Sequence, residues 1–176
     1  NQTNFYSYMT ASGGLPTVVS SWNTYFSYAV DYGVYIRTGT SKFYNCTFES
    51  NAKEGVYIVP GTDETPNHLD FDNCWFEDNY GDSGTKYDVT ADSSASGSSI
   101  LLSMRNPLFA ATGEKSMHLV GANTSYTIEE ADIQLHDREM VLIESAVGSI
   151  TLTPHVEPSR ATIINGANIK KFGQLS

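Results

Sequence analysis

A tetrapeptide that returns after a fixed interval constrains this chain more than any other feature. Gly33-Val34-Tyr35-Ile36 recurs as Gly55-Val56-Tyr57-Ile58, an offset of 22, and the same offset carries Phe26 onto Phe48. Phe43-Tyr44-Asn45-Cys46-Thr47-Phe48 recurs as Phe71-Asp72-Asn73-Cys74-Trp75-Phe76 at an offset of 28, with Glu49 falling on Glu77 and Asn51 on Asn79. Leu102 to Phe109 follows Leu69 to Phe76 by 33 residues, and Tyr126, Ile128, Ala131 and Ile133 follow Leu102, Met104, Pro107 and Phe109 by 24. A period in the twenties to thirties means one supersecondary unit stacked on its own copies.

The spacing inside each unit says what that unit is. Apolar residues hold positions 69 and 71, then 74 and 76, so the strand-like alternation slips by one residue at Asn73. The same slip occurs at Asn45 and Asn106. Two strands that both face one core across such a slip must turn a corner there, and asparagine readily takes the left-handed backbone a corner needs. A strand, an asparagine corner and a second strand, repeated, predict a parallel β-helix whose rungs lie about 4.8 Å apart. The competing reading is a β-sandwich with chance likeness between strands. Against it stand the six-residue repeat and the scarcity of hairpin dipeptides, the one Asn-Gly being Asn165-Gly166. The fold class expected is all-β. Ile128–Met140 is the best helical candidate, and its apolar spacing is poor.

The coils are expected over residues 1–137. From 138 to 176 the repeat fades, Pro154 and Pro158 interrupt the strand-like runs, and an irregular C-terminal β cap or trimer-contact segment is expected. Val59 to Asn67 and Thr90 to Ser98 read as inserted loops. One face is expected from Val34–Ile36, Val56–Ile58, Tyr87–Val89 and Met117–Leu119, which would align Tyr35, Tyr57, Asp88 and His118 in one outward column with Arg37 beside it. Cys46 and Cys74 occupy equivalent places and are expected as stacked core thiols.

The chain has 20 Asp+Glu against 10 Lys+Arg, a formal charge of −10, so nucleic acid is a poor partner. It has no apolar run of about 18 residues to span a bilayer. Opening at Asn1 with no leader pattern, it is expected to be a mature product or a piece of something longer. No phosphate loop, dinucleotide fingerprint or metal-ligand spacing occurs, and neither a cofactor nor a metal is expected. Tyrosine offers a sugar ring an apolar body with a polar tip, which makes Tyr35 and Tyr57, with Arg37 and His118, candidate glycan contacts. Cleavage of a glycosidic bond wants paired carboxylates. Glu49 and Glu77 are one such pair, and Asp88, near Asp63 and Glu64, is a second candidate.

Residues 33–51 and 55–79 together resemble the right-handed β-helix coils of pectate-lyase-like proteins, in style closest to bacteriophage tailspikes and tail fibres. The resemblance spans about residues 17 to 135 and rests on coil architecture. It implies a homotrimer on a virion tail that binds, and often hydrolyses, a bacterial surface polysaccharide such as capsule or O-antigen. A non-catalytic trimerisation stem and a secreted polysaccharide-degrading enzyme are the alternatives. No catalytic motif of the family is carried over residue by residue.

Overall fold

The computed structural model describes residues 5–7, 18–60, 66–79, 87–95, 98–110, 115–133, 141–152 and 163–165. The chain winds through three strands per coil. The first coil is β1 (Phe5–Ser7), β2 (Val18–Trp22) and β3 (Tyr25–Ser27); the second is β4 (Val34–Ile36), β5 (Thr40–Tyr44) and β6 (Thr47–Glu49). The third is β7 (Val56–Ile58), β8 (Asn67–Asp72) and β9 (Trp75–Glu77), and the fourth β10 (Tyr87–Asp92), β11 (Ile100–Arg105) and β12 (Leu108–Ala110). Then come β13 (Lys115–Val120), the long β14 (Thr124–Ile133), β15 (Val141–Glu144), β16 (Val147–Leu152) and β17 (Ile163–Asn165).

First strands stack as sheet A in the order β1-β4-β7-β10-β13-β15-β17. Second strands stack as sheet B, β2-β5-β8-β11-β14, with β16 on β14. Third strands form sheet C, β3-β6-β9-β12, and meet sheet B because β14 runs through both. Strands within all three sheets run parallel. The expected offsets are the pairing registers themselves: Phe26 beside Phe48, Phe43 beside Phe71, Phe71 beside Met104, and Met104 beside Ile128.

The sequence dictates this winding through its corners. Asn23, Asn45, Asn73 and Asn106 take φ of 51, 51, 52 and 47° between sheets B and C, and Glu130 takes 54° at the same place in β14. A second left-handed corner follows sheet C at Tyr28, Ser50 and Asp78, with φ of 57, 53 and 52°. In-facing residues then stack like on like. Phe26, Phe48, Phe76 and Phe109 form one ladder with centroids 5.1, 5.0 and 4.9 Å apart, and Phe43 stacks on Phe71 at 5.0 Å. Such near-parallel pairs add about 0.5–1.5 kcal/mol each beyond the area they bury.

A polar ladder lines the corner between sheets C and A. Asn51 accepts from the Ala29 amide at 3.0 Å and donates to the Phe26 carbonyl at 2.8 Å and to Asn79 Oδ1 at 2.7 Å. Asn79 donates in turn to the Phe48 carbonyl at 2.9 Å and to Asp88 Oδ1 at 2.7 Å. The repeated glycine before each Val-Tyr-Ile makes room for these amides. A Cβ on Gly33 would lie 2.7 Å from Asn51 Nδ2, and one on Gly55 2.8 Å from Asn79 Nδ2.

Two expectations change: the alignment of β10 on sheet A, and the loop expected from Thr90 to Ser98, whose first three residues are strand within β10. β10 meets β7 with Val89 beside Val56 and Thr90 beside Tyr57, so the outward column is Tyr35, Tyr57, Thr90, His118. Asp88 is displaced by two residues, because Val89 and Ala91 are the pair that fills the core opposite Val56 and Ile58. The helical candidate at 128 begins as strand, since β14 extends to Ile133, and residues 134–140 lie outside the described residues. In the segment expected as a cap, β15, β16 and β17 continue the parallel register; residues 153–162 and 166–176 lie outside the described residues. Cys46 and Cys74 are buried free thiols, as expected. The hydrogen bond from Cys46, reinforced by burial, pushes the Cys74 thiol far above the ordinary thiol range.

Candidate functional site

The corner between sheets B and C takes two residues in each of the first four coils, too few for any loop to fold back over its neighbours. Side chains beside it therefore remain in solvent. Along sheet B one outward column reads Trp22, Tyr44, Asp72, Arg105, Glu129 across five rungs. Trp22 and Tyr44 stack 5.5 Å apart with planes 10° from parallel. Across the corner, sheet C presents Tyr25, Thr47, Trp75 and Leu108 in one column and Ser27, Glu49, Glu77 and Ala110 in the next. Trp22, Tyr25 and Trp75 are 59, 72 and 42% exposed, unusual for rings this size.

Polar groups fix parts of this ridge. The Trp75 indole N–H donates to Glu77 Oε2 at 2.9 Å, which sets the ring's orientation. Arg105 reaches Asp72 on the preceding rung at 3.4 Å and Glu129 on the following rung at 3.9 Å. Lys42 pairs with Asp70 at 3.1 Å. At its far end the ridge opens into a shallow cleft of about 350 Å³ lined by Arg105, Ile128, Glu129, Glu130, Ser149 and Thr151.

The outer face of sheet A is different. Tyr35 and Tyr57 lie on neighbouring rungs as expected, 5.5 Å apart, but Tyr32 from the preceding connection stacks on Tyr57 at 4.9 Å and 9°. Lys53 lies 5.1 Å from the Tyr32 ring centre and pairs with Asp31 at 2.9 Å. These rings are half-buried against one another. Burial pushes the Tyr57 phenol up to about 12, with Tyr32, Glu54 and Asp92 adding to it. Arg37 is half-buried just after β4, and its carbonyl accepts from Asn67 Nδ2 at 3.3 Å. His118 lies farther along the same column, with Nε2 2.8 Å from Glu144 Oε2 and its ring 4.8 Å from that of Tyr87.

Of the acidic candidates, Glu49 and Glu77 are direct register partners on the outside of sheet C, beside Trp75. Asp88 is 3% exposed and its Oδ1 terminates the buried asparagine ladder. The fold thus brings Glu49 and Glu77 to the aromatic ridge and sends Asp88 inside. Sequence reasoning missed Trp22, Tyr25, Tyr44 and Trp75 as surface groups. Their signal was the even spacing from the corner: Trp22 and Tyr44 each directly precede a corner asparagine, and Tyr25 and Trp75 each follow one by two residues. Among the described residues no cluster of three His, Cys, Asp or Glu side chains could hold a metal, and no helix is long and apolar enough to cross a membrane.

The family described as right handed beta helix region matches residues 17–145. The chain belongs to that family. No curated protein and no solved structure matches it. The match begins just before β2 and ends just after β15, so the ridge columns of this β-helix from Trp22 to Glu129 lie within the matched span, and Ser149 and Thr151 of the cleft lie beyond it.

Proposed function

We propose that this β-helix binds a polysaccharide along the ridge between sheets B and C, as part of a tailspike-type attachment protein. The observation that supports the reading is the exposed aromatic set Trp22, Tyr25 and Trp75 beside a corner that no loop among the described residues covers. Flat rings offer the C–H faces of sugar rings an apolar platform, while neighbouring carboxylates and hydroxyls take the sugar hydroxyls. Tyr25 and Trp75 lie two rungs apart, about 9.6 Å at the usual strand spacing, comparable to a pair of pyranose rings in an extended chain. Membership in a family common among polysaccharide-binding and polysaccharide-degrading proteins agrees with it.

In this proposal the parent assembly is a homotrimer on a virion tail, and the glycan is a host surface polysaccharide, capsule or O-antigen. Glu49 and Glu77 are its catalytic pair, one protonating the leaving glycosidic oxygen while the other, ionised, bonds to the anomeric carbon to give a glycosyl ester that water then hydrolyses. Asp88 has no part in it. Tyr35, Tyr57, Arg37 and His118 form a subsidiary contact face around the molecule from the ridge.

Titration of the whole chain with a polysaccharide panel, paired with a reducing-end assay, tests the reading. Trp22→Ala and Trp75→Ala are each expected to weaken binding at least tenfold, and Glu77→Gln to abolish any release of reducing ends. Unchanged affinity in both tryptophan variants refutes the ridge. The exposed rings also favour a second reading, in which sister chains cover them in a stem. Sedimentation separates the two: a trimer that dissociates in the tryptophan variants and ignores every glycan supports the stem.

A further inference from the structure

We infer that the polysaccharide taken by this ridge is uncharged, and not a polymer of uronic or other acidic sugars; this rests on the ridge being a glycan site. Only two formal cations stand on the described outer faces of sheets B and C, Lys42 and Arg105, with His68 as the one further titratable base. Each cation is already committed. Lys42 Nζ meets Asp70 at 3.1 Å, and Arg105 is held between Asp72 at 3.4 Å and Glu129 at 3.9 Å. These pairings follow from register, because Asp70 is stacked directly beside Lys42 and Asp72 and Glu129 directly beside Arg105. A sugar carboxylate would meet each cation with its charge already balanced by a protein carboxylate on an adjacent rung.

The remaining charge on the ridge is negative. Glu49 and Glu77 flank the Trp75 column, and Glu130 joins Glu129 at the cleft. Like charges at such distances repel, most strongly at low ionic strength. What the faces do offer is hydroxyl chemistry. Ser20, Ser103, Thr127 and Ser149 stand in the same outward column as Lys42 and Asp70, and Thr151 lines the cleft. Carboxylates accept from sugar hydroxyls without demanding a counter-charge. A neutral hexose polymer fits every one of these groups.

The test compares polygalacturonate with the same polymer after its carboxyl groups are reduced to alcohols, alongside dextran, galactomannan and hydroxyethyl cellulose. Binding to the whole chain is read by calorimetry at low and high salt. The expected result is at least tenfold tighter binding of one or more neutral polymers than of polygalacturonate at low salt, with neutral binding changed less than twofold by salt. The triple variant Asp70→Asn/Asp72→Asn/Glu129→Gln, which releases Lys42 and Arg105, is expected to gain affinity for polygalacturonate at least threefold. Tighter binding of the acidic polymer by the unmodified chain, weakening with salt and lost in Trp75→Ala, overturns the inference and leaves the ridge standing. Binding of no polymer, or neutral binding indifferent to Trp22→Ala and Trp75→Ala, overturns both.

Discussion

Two corners of the same coil are put to opposite uses. Between sheets C and A, the six-residue connections after β3 and β6 and the longer one after β9 supply inward groups among their described residues: Asn51 and Asn79 join Asp88 in a buried ladder, and Tyr32 comes back over Tyr57. Between sheets B and C, two residues suffice, no loop among the described residues covers the neighbouring columns, and Trp22, Tyr25 and Trp75 are exposed. A longer connection can turn an outward aromatic into packing, as at Tyr32 and Tyr57, although Tyr28 at the start of the same connection stays exposed. Strand propensity is the same in both places; only the neighbours differ.

That contrast can be broken most forcefully at the ladder. Asn79→Ala strips partners from the Phe48 carbonyl, Asn51 and Asp88 at once, and is expected to cost about 3 kcal/mol in denaturant unfolding. A loss below about 1 kcal/mol would mean the closed corner is not what stabilises the coils. At the open corner Asn45→Ala forces an alanine to φ of 51° and should cost about 1 kcal/mol, whereas Asn45→Gly should be close to neutral. Equal losses in the two variants would show that the side chain, not the backbone, matters there. Tyr57 gives a pH handle on the closed side. Its folded-state phenol, at about 12, holds its proton more tightly than the unfolded chain's at about 10, so its contribution is complete below about pH 10 and fades as pH rises toward 12. Thermal melts across that window should fall more steeply for the native chain than for Tyr57→Phe. The smallest effect belongs to the ridge: Trp22→Ala should cost about 0.5 kcal/mol, the low end of what its exposed stack on Tyr44 can supply. A larger drop would assign that ring to packing after all.

Much of the solenoid was legible in advance, because a repeat constrains everything stacked upon it. Asn45, Asn73 and Asn106 marked true corners, and the offsets along sheets B and C became pairing registers without adjustment. Legibility failed where a connection changed length. The alignment of Tyr87 with Val56 looked as good as that of Val89, since both put apolar residues inward, and only the packed core chose between them. That choice took Asp88 from an imagined groove into the ladder. The Asn51–Asn79 equivalence was visible too, but burial gave it meaning, since a solvated pair and an interior amide chain read alike. Glu49 and Glu77 were placed together by register alone, and the neighbouring tryptophan only by the folded corner.

The ladder and the three sheets share one direction: their hydrogen bonds run along the solenoid rather than across it. Tension applied end to end would thus load all sheets of a rung together, and the Asn51–Asn79–Asp88 links with them, so separation of rungs requires many bonds to fail in a single event. A sideways pull on one strand would meet them singly. The molecule is built to be stiff lengthwise and to peel from its flank.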